Sequence, residues 1–321
     1  MNSPNRREAP ASLGFGRHAL GRWREWMRRC ADAAPTYSLA MLARRLCLAG
    51  VTDPVDVVLF DSQRARLHPR DNRCERRAVA GVLFWDRAER AALAEAIRAA
   101  EDRGFVFVDA GANVGLYTLW AKAAAAKAGI ALTALAIEPD PINAARLRFN
   151  MKASGDEGVA IAAVALSDRA GTVRIAASDC ANRGTVRLAS AASADAVEVP
   201  ASPLLDVVRA SGLQRIDAMK VDIEGSEIAV LTRFLADAPP ALLPSLLLIE
   251  VAQEESQLLD LLVRHGYRLD RQVGINGILS RPKRASGLAE VRLLPSAGRP
   301  DPDVSATESE DRNRPASASA M

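Results

Sequence analysis

An α/β fold, with a mostly parallel sheet covered by helices on both faces, is predicted by three features of the sequence. Five largely apolar runs are closed by acids: 105–108 by Asp109, 132–137 by Glu138, 161–166 by Ser167 and Asp168, 216–221 by Asp222, and 246–249 by Glu250. Helical patterns at 116–127, 141–152 and 226–236 alternate with those runs. The stretch FVFVDAGANVGLYTLW at 105–120 passes from a strand through two glycines directly into a helix. Strands alternating with helices form parallel sheets, and all their C-terminal ends lie on one edge, where ligands of open sheets bind. One acid at a strand end is usually a turn residue, but five together outline a pocket.

Taken in chain order, residues 1–16 are polar and broken by proline, and no apolar stretch of signal-peptide length follows. No segment approaches the ~20 apolar residues of a membrane span, so a cytoplasmic protein without a transmembrane segment is expected. The net charge of +3 is small, yet residues 1–50 hold nine arginines against Glu8, Glu25 and Asp32. Within 21–50, Trp23, Trp26, Met27, Leu39, Leu42, Leu46 and Leu48 recur among those arginines, predicting two short amphipathic helices. Such helices suit a membrane surface or RNA, although packing on the main domain is the simpler expectation. Residues 55–86 carry apolar stretches at 57–60 and 82–85 around a charged middle, predicting a small β element that forms part of a lid. A helix over 88–100, with Leu93 and Ile97 in phase, leads into the central strand.

At the glycine turn, Asp109 occupies the first position of the dinucleotide fingerprint G-x-G-x-x-G, which disfavours a nicotinamide cofactor. A carboxylate at that strand tip would repel a pyrophosphate and suits a ligand bearing positive charge and hydroxyls. Gly111 and Gly115 permit the turn, and Asn113 tolerates left-handed backbone. Glu138 closes the second strand, where a carboxylate can accept both hydroxyls of a ribose. Asp140 is the better N-cap for the following helix, with Pro141 at its first position. Asp168 either accepts from an adenine amino group or nucleates the turn into 172–175. Farther on, IDAMKVDIEGSEIAVL at 216–231 places Lys220 and Asp222 on the same side of a strand tip, with Glu224 and Gly225 turning into a helix whose first turn holds Glu227.

The pattern D-x-G-A-N-x-G resembles motif I of S-adenosylmethionine (SAM)-dependent methyltransferases. DAGANVGLYTL, EPDPINAARLRFN, ALSDRAGTVRI, LLDVV, IDAMKVDIEGSEIAVL and LLLIEV follow in an order that resembles the FkbM-type family of these enzymes, over about residues 55–280. The resemblance implies a Rossmann-like class I methyltransferase fold with antiparallel C-terminal strands, SAM as methyl donor and O-methylation of a sugar, polyketide or similar small-molecule or glycan hydroxyl. It assigns cofactor binding to Asp109, Gly111, Asn113, Gly115, Glu138, Asp168 and Asp222. Val251 and Ala252 depart from the histidine-bearing Glu-Ile-His common there, which shifts base chemistry to Asp222 and Glu224, with Lys220 orienting the base or lowering the acceptor's proton affinity.

Two carboxylates with no nearby histidine are a weak signal for a divalent metal, and no metal site is expected. Cys30, Cys47, Cys74 and Cys180 are scattered without C-x-x-C spacing, so neither zinc nor a disulfide framework is indicated. Two alternatives carry other classes of function. A nucleic-acid methyltransferase lacks its D/N-P-P-Y/F tetrapeptide here, so no nucleic-acid partner is expected. A non-catalytic binding protein on a methyltransferase scaffold is disfavoured by the intact Asp109, Gly111, Gly115 and Glu138. The expected organisation is a basic, partly helical extension at 1–54, the methyltransferase domain at 55–280 with its cofactor core from about 105, and a polar tail at 281–321, disordered from about 299.

Overall fold

The computed structural model describes residues 14–83, 85–155, 158–179, 182–188, 196–251 and 256–282, with backbone alone for 177–179, 182–188 and 256. Two helices, α1 (Arg22–Ala33) and α2 (Tyr37–Leu48), precede a hairpin of β1 (Val55–Leu59) and β2 (Gln63–Leu67), then α3 (Arg73–Val79) and α4 (Arg87–Arg98). The centre of the chain runs β3 (Phe105–Ala110), α5 (Leu116–Ala128), β4 (Leu132–Ile137), α6 (Pro141–Ala153) and β5 (Val159–Ala162). A side sheet follows, with β6 (Ala165–Leu166), β7 (Gly171–Asp179), β8 (Asn182–Leu188) and β9 (Val197–Ser202). The chain then forms α7 (Leu204–Ala210), β10 (Ala218–Val221), α8 (Glu227–Asp237), β11 (Leu246–Glu250), α9 (Ser256–Arg264), β12 (Arg268–Val273) and β13 (Asn276–Ser280).

Seven strands make the main sheet in the order β12-β13-β11-β10-β3-β4-β5. The five from β11 to β5 are parallel, and β13 runs antiparallel between β11 and β12. This is the expected Rossmann-like α/β architecture. Every residue of β3 is buried, as a central strand covered on both faces requires. Alternation divides the core: Phe107, Ala218 and Leu248 join the cluster beneath α4 and α5, whereas Val108, Met219 and Leu247 join the one beneath α7, α8 and α9. At the far end of β10, buried Asp217 accepts from Val106 N at 2.9 Å and pairs with Arg103 and Arg215, which pins that edge away from the strand tips.

Asp140 caps α6 as expected, accepting from Ile142 N and Asn143 N at 3.0 and 2.8 Å with Pro141 beside it. Replacing Asp140 with alanine is expected to cost about 1 kcal/mol. Chemical denaturation reads this as a lower midpoint at unchanged slope.

Three expectations are corrected. The apolar run at 161–166 is not one strand: β5 ends at Ala162 in the main sheet, and β6 begins at Ala165 in the side sheet. Apolar character persists through the bend because Val164 to Leu166 line a cavity. Val82, Leu83 and Trp85 belong to no strand, and Trp85 N donates to Val82 O at 3.2 Å. The partner of β1 is instead QRARL at 63–67, whose Gln63, Ala65 and Leu67 point inward between exposed or half-buried arginines. Finally, α3 falls within the stretch expected to be β, nucleated by Asn72 accepting from Cys74 N and Glu75 N.

The inner residues of α1 and α2 include Met27, Ala31, Ala40, Ala43 and Cys47. Both helices are tied to α3 and the turn after it: Arg44 donates to Arg77 O at 3.3 Å, Cys47 Sγ to Val79 O at 3.7 Å, and Asp32 accepts from Leu83 N at 2.8 Å. Residues beyond 282, which include the tail expected to be disordered, lie outside the described residues, as does Ala252.

Candidate active site

The C-terminal ends of β3, β4, β10 and β11 surround a cavity of ≈ 670 Å³. Gly111 opens the turn after β3 with φ +81°, and a Cβ there would sit 1.8 Å from the Asp222 carbonyl oxygen. Glycine is therefore required because the backbone leaving β10 crosses it. Gly115, at φ +86°, is closed in by Leu147 and Met151 of α6. Asp109 lies beneath this turn rather than in the wall. Its Oδ2 accepts from Thr118 N and Oγ1 at 3.1 and 2.7 Å, and its buried Oδ1 has no hydrogen-bond partner. Burial raises its pKa, opposed by the nearby Lys220 ammonium and the Thr118 bonds.

Glu138 is buried in the cavity wall, accepting from Asn113 N at 2.8 Å on one oxygen and Asp140 N at 2.9 Å on the other. Each oxygen keeps an acceptor direction for a further donor. Burial pushes its carboxyl up to about 7, against the pull of the two amides. Asn113 itself is left-handed, at φ 53°, with its side-chain oxygen held by Asn72 Nδ2 at 2.9 Å.

Across the cavity, Lys220 Nζ lies 2.9 Å from Asp222 Oδ2 and 5.0 Å from the centre of the Tyr117 ring. Burial alone would lower the lysine, but facing Asp222 and Asp109 its pKa is raised, so Lys220 is a fixed cation. Glu224 follows with φ 55°. Buried Glu227 clamps this loop by accepting from Ile223 N at 3.0 Å and Gly225 N at 2.8 Å, a task more specific than a dipole interaction. Glu250, at the tip of β11, is pushed up to about 7 by burial and by Asp222, Glu224 and Glu227.

Gly111, Asn113, Glu138, Lys220, Asp222 and Glu224 thus line one cavity, with Asp109 and Gly115 supporting its glycine turn. Asp168 is the exception. It is half-buried, pairs with Arg169 at 3.1 Å and is absent from the cavity wall, because β6 has left the main sheet. Of residues 176–200, which follow Asp168 in the chain, 180–181 and 189–195 lie outside the described residues.

A Methyltransferase FkbM domain model matches residues 109–269, half of the chain. The chain belongs to the FkbM methyltransferase family. Among solved structures it is similar to precorrin-6y C5,15-methyltransferase from Geobacter metallireducens GS-15, at 14% identity, covering 61% of this chain and 87% of that one with a TM-score of 0.36. The corresponding values are 13%, 60%, 78% and 0.35 for the ribosomal protein L11 methylase from Lactobacillus delbrueckii subsp. bulgaricus, and 14%, 73%, 89% and 0.34 for M. jannaschii TYW2 in complex with AdoMet. No curated protein matches the chain significantly in sequence.

FkbM membership implies SAM as donor, and the cavity fits a cationic nucleoside. Asp86, Glu89, Glu138, Asp222, Glu224 and Glu250 line it against Arg73, Arg77 and Lys220, giving an acidic balance. Among the described residues no group of three or more His, Cys, Asp or Glu side chains is placed to hold a metal, and no helix is long and apolar enough to cross a membrane.

Several wall residues carry no sequence signal of their own. Trp85 meets Tyr117 edge to face at 5.0 Å, and the Tyr117 hydroxyl donates to Asp86 Oδ2 at 2.9 Å. Glu89 is buried, accepts from Asn276 Nδ2 at 2.9 Å on one oxygen and has no partner on the other. All of these except Tyr117 lie outside the FkbM-matched segment. Glu250 was legible as a strand-end acid, but only the convergence of three other acids on it marks it out.

Proposed function

We propose that this FkbM protein is a SAM-dependent O-methyltransferase acting on a hydroxyl of a sugar, polyketide or similar small-molecule or glycan acceptor. The observation supporting this most is the pair of faces on one cavity: a glycine turn with Glu138 on one side, and Lys220, Asp222 and Glu224 on the other. When bound, SAM supplies an electrophilic methyl group on a cationic sulfur. In this reading Glu138 accepts the ribose hydroxyls, Asn113 and the Gly111 turn shape the nucleoside seat, and Asp109 holds that turn through Thr118. Asp222 or Glu224 takes the acceptor's proton, worth ~10²- to 10⁴-fold. Lys220, 2.9 Å away, orients Asp222. Alignment of acceptor oxygen and methyl carbon by these walls contributes a further ~7 to 11 kcal/mol.

Calorimetry with SAM and with its demethylated product tests the reading. Heat is expected for both, and affinity should rise as the pH climbs through about 7, by up to about tenfold per pH unit below it, because only ionised Glu138 accepts both hydroxyls fully. Glu138→Gln should weaken binding and flatten the profile. The stability sign is opposite. A carboxyl whose folded pKa is raised stabilises the fold below its unfolded value of 4.5, and that contribution is lost as pH rises through about 7. The ligand-free protein should therefore melt lower at about pH 8 than at about pH 5 as far as Glu138 is concerned. Absence of heat with either compound across that range removes the proposal.

A further inference from the structure

Helix α2 turns its small side chains inward and its large ones outward. Ala40, Ala43 and Cys47 are buried, whereas Leu39, Leu42 and Leu46, each one residue before them and so about 100° round the helix, are 53%, 54% and 42% exposed. A surface helix ordinarily does the reverse. On the neighbouring α1, Trp23 and Trp26 are 58% and 53% exposed, with ring centres 5.2 Å apart. Arg22, Arg29 and Arg45 are exposed on the same hairpin, with exposed Arg17 just before it.

We propose that the α1–α2 hairpin is a docking face for an anionic lipid surface, its leucines and tryptophans entering the headgroup boundary while its arginines pair with lipid phosphates. Charge selects this occupant. Residues 14–50 hold seven arginines against Glu25 and Asp32, so a second copy would bring like charge to the same face. RNA would satisfy the arginines but offer the leucine row no apolar medium. An anionic bilayer supplies both, and tryptophan and arginine side chains suit its boundary because each joins an apolar body to a polar end. The inner side of the hairpin rests on α3, whose Arg73, Cys74 and Arg77 line the cavity. A docked surface therefore lies one helix from the candidate active site, although the docking itself stands independently of the methyl-transfer reading.

The full chain is sedimented with phosphatidylcholine vesicles, with and without phosphatidylglycerol. Expected is partitioning onto the phosphatidylglycerol vesicles only, weakened by salt, with a blue shift in tryptophan emission. That shift reports Trp23 and Trp26, since Trp85 is buried and Trp120 half-buried. Each of Arg22→Gln, Arg29→Gln and Arg45→Gln should cost roughly fivefold in partitioning. The triple variant Leu39→Ser, Leu42→Ser, Leu46→Ser should lose sedimentation while keeping the wild-type circular dichroism and melting temperature, because these side chains are exposed. The proposal is overturned by absence of sedimentation, by undiminished sedimentation of a folded triple variant, by a concentration-dependent dimer that the triple variant abolishes without any vesicle binding, or by salt-sensitive binding to a single-stranded RNA oligonucleotide alone.

Discussion

Asp222→Ala is expected to lower turnover by roughly 10²- to 10⁴-fold while leaving SAM affinity within a far smaller range. Its carboxylate stands at the tip of β10 in the cavity wall, partly open to solvent and held 2.9 Å from Lys220 Nζ. Glu224→Ala should show the same scale of loss if it, rather than Asp222, takes the proton. Lys220→Met should differ in kind. Lys220 faces Asp222, Asp109 and the Tyr117 ring, and because Asp222 is partly exposed, removing the lysine should cost stability, but less than the ~3–5 kcal/mol of a fully buried pair. A melting curve and a turnover assay on the identified acceptor, measured for all three variants, separate base from support. Wild-type turnover in all three would end the assignment. Selective loss in Glu250→Gln would then move the base to the carboxyl whose pKa near 7 suits proton exchange at neutral pH.

Gly111→Ala carries the second large effect, and it is structural before it is chemical. The added methyl would lie 1.8 Å from the Asp222 carbonyl oxygen, with φ at +81°. Either the turn or the loop carrying Asp222 and Glu224 has to move. Overpacking costs about 1–3 kcal/mol, and left-handed backbone on a side chain about 1–2 more. Gly129→Ala is the control, at φ +70° with nothing within 4 Å of the added carbon, and should lose only the backbone part. SAM heat should vanish in the first variant and persist in the second. Equal melting temperatures and intact binding in both would show that the crossing is looser than its geometry implies.

The central sheet was legible because its strands announce themselves. A run such as FVFV closed by an acid admits few other readings, and the glycines after it mark where backbone must approach backbone. The helix preceding β3 and the capping role of Asp140 followed from periodicity and turn chemistry. Where the sequence misleads, a local pattern is shared by two structures. Alanine-rich residues 161–166 stay apolar whether they continue a strand or bend out to line a cavity, and QRARL hides a strand because arginines serve its outer face. Asp168 sits where a ribbon of acids leads one to expect a ligand, but the preceding strand has changed sheets, which no spacing rule records. The wall that includes Asp86, Glu89 and Asn276 was the least visible part. Asp86 and Glu89 at the start of α4 and Asn276 in β13 lie far apart in the chain and acquire meaning only by meeting.

That meeting has a consequence for how the molecule is made. The hydrogen bond from Asn276 to Glu89 spans 187 residues, so it joins an early helix to the last strand of the described chain. During synthesis the glycine turn and the tip of β10 emerge first, and this contact forms only after β13 leaves the ribosome, against the loop-closure entropy of the whole intervening chain. A nascent polypeptide halted before Asn276 would carry the Gly111 turn and the tip of β10, yet the opposite side of the cavity would still be open to water.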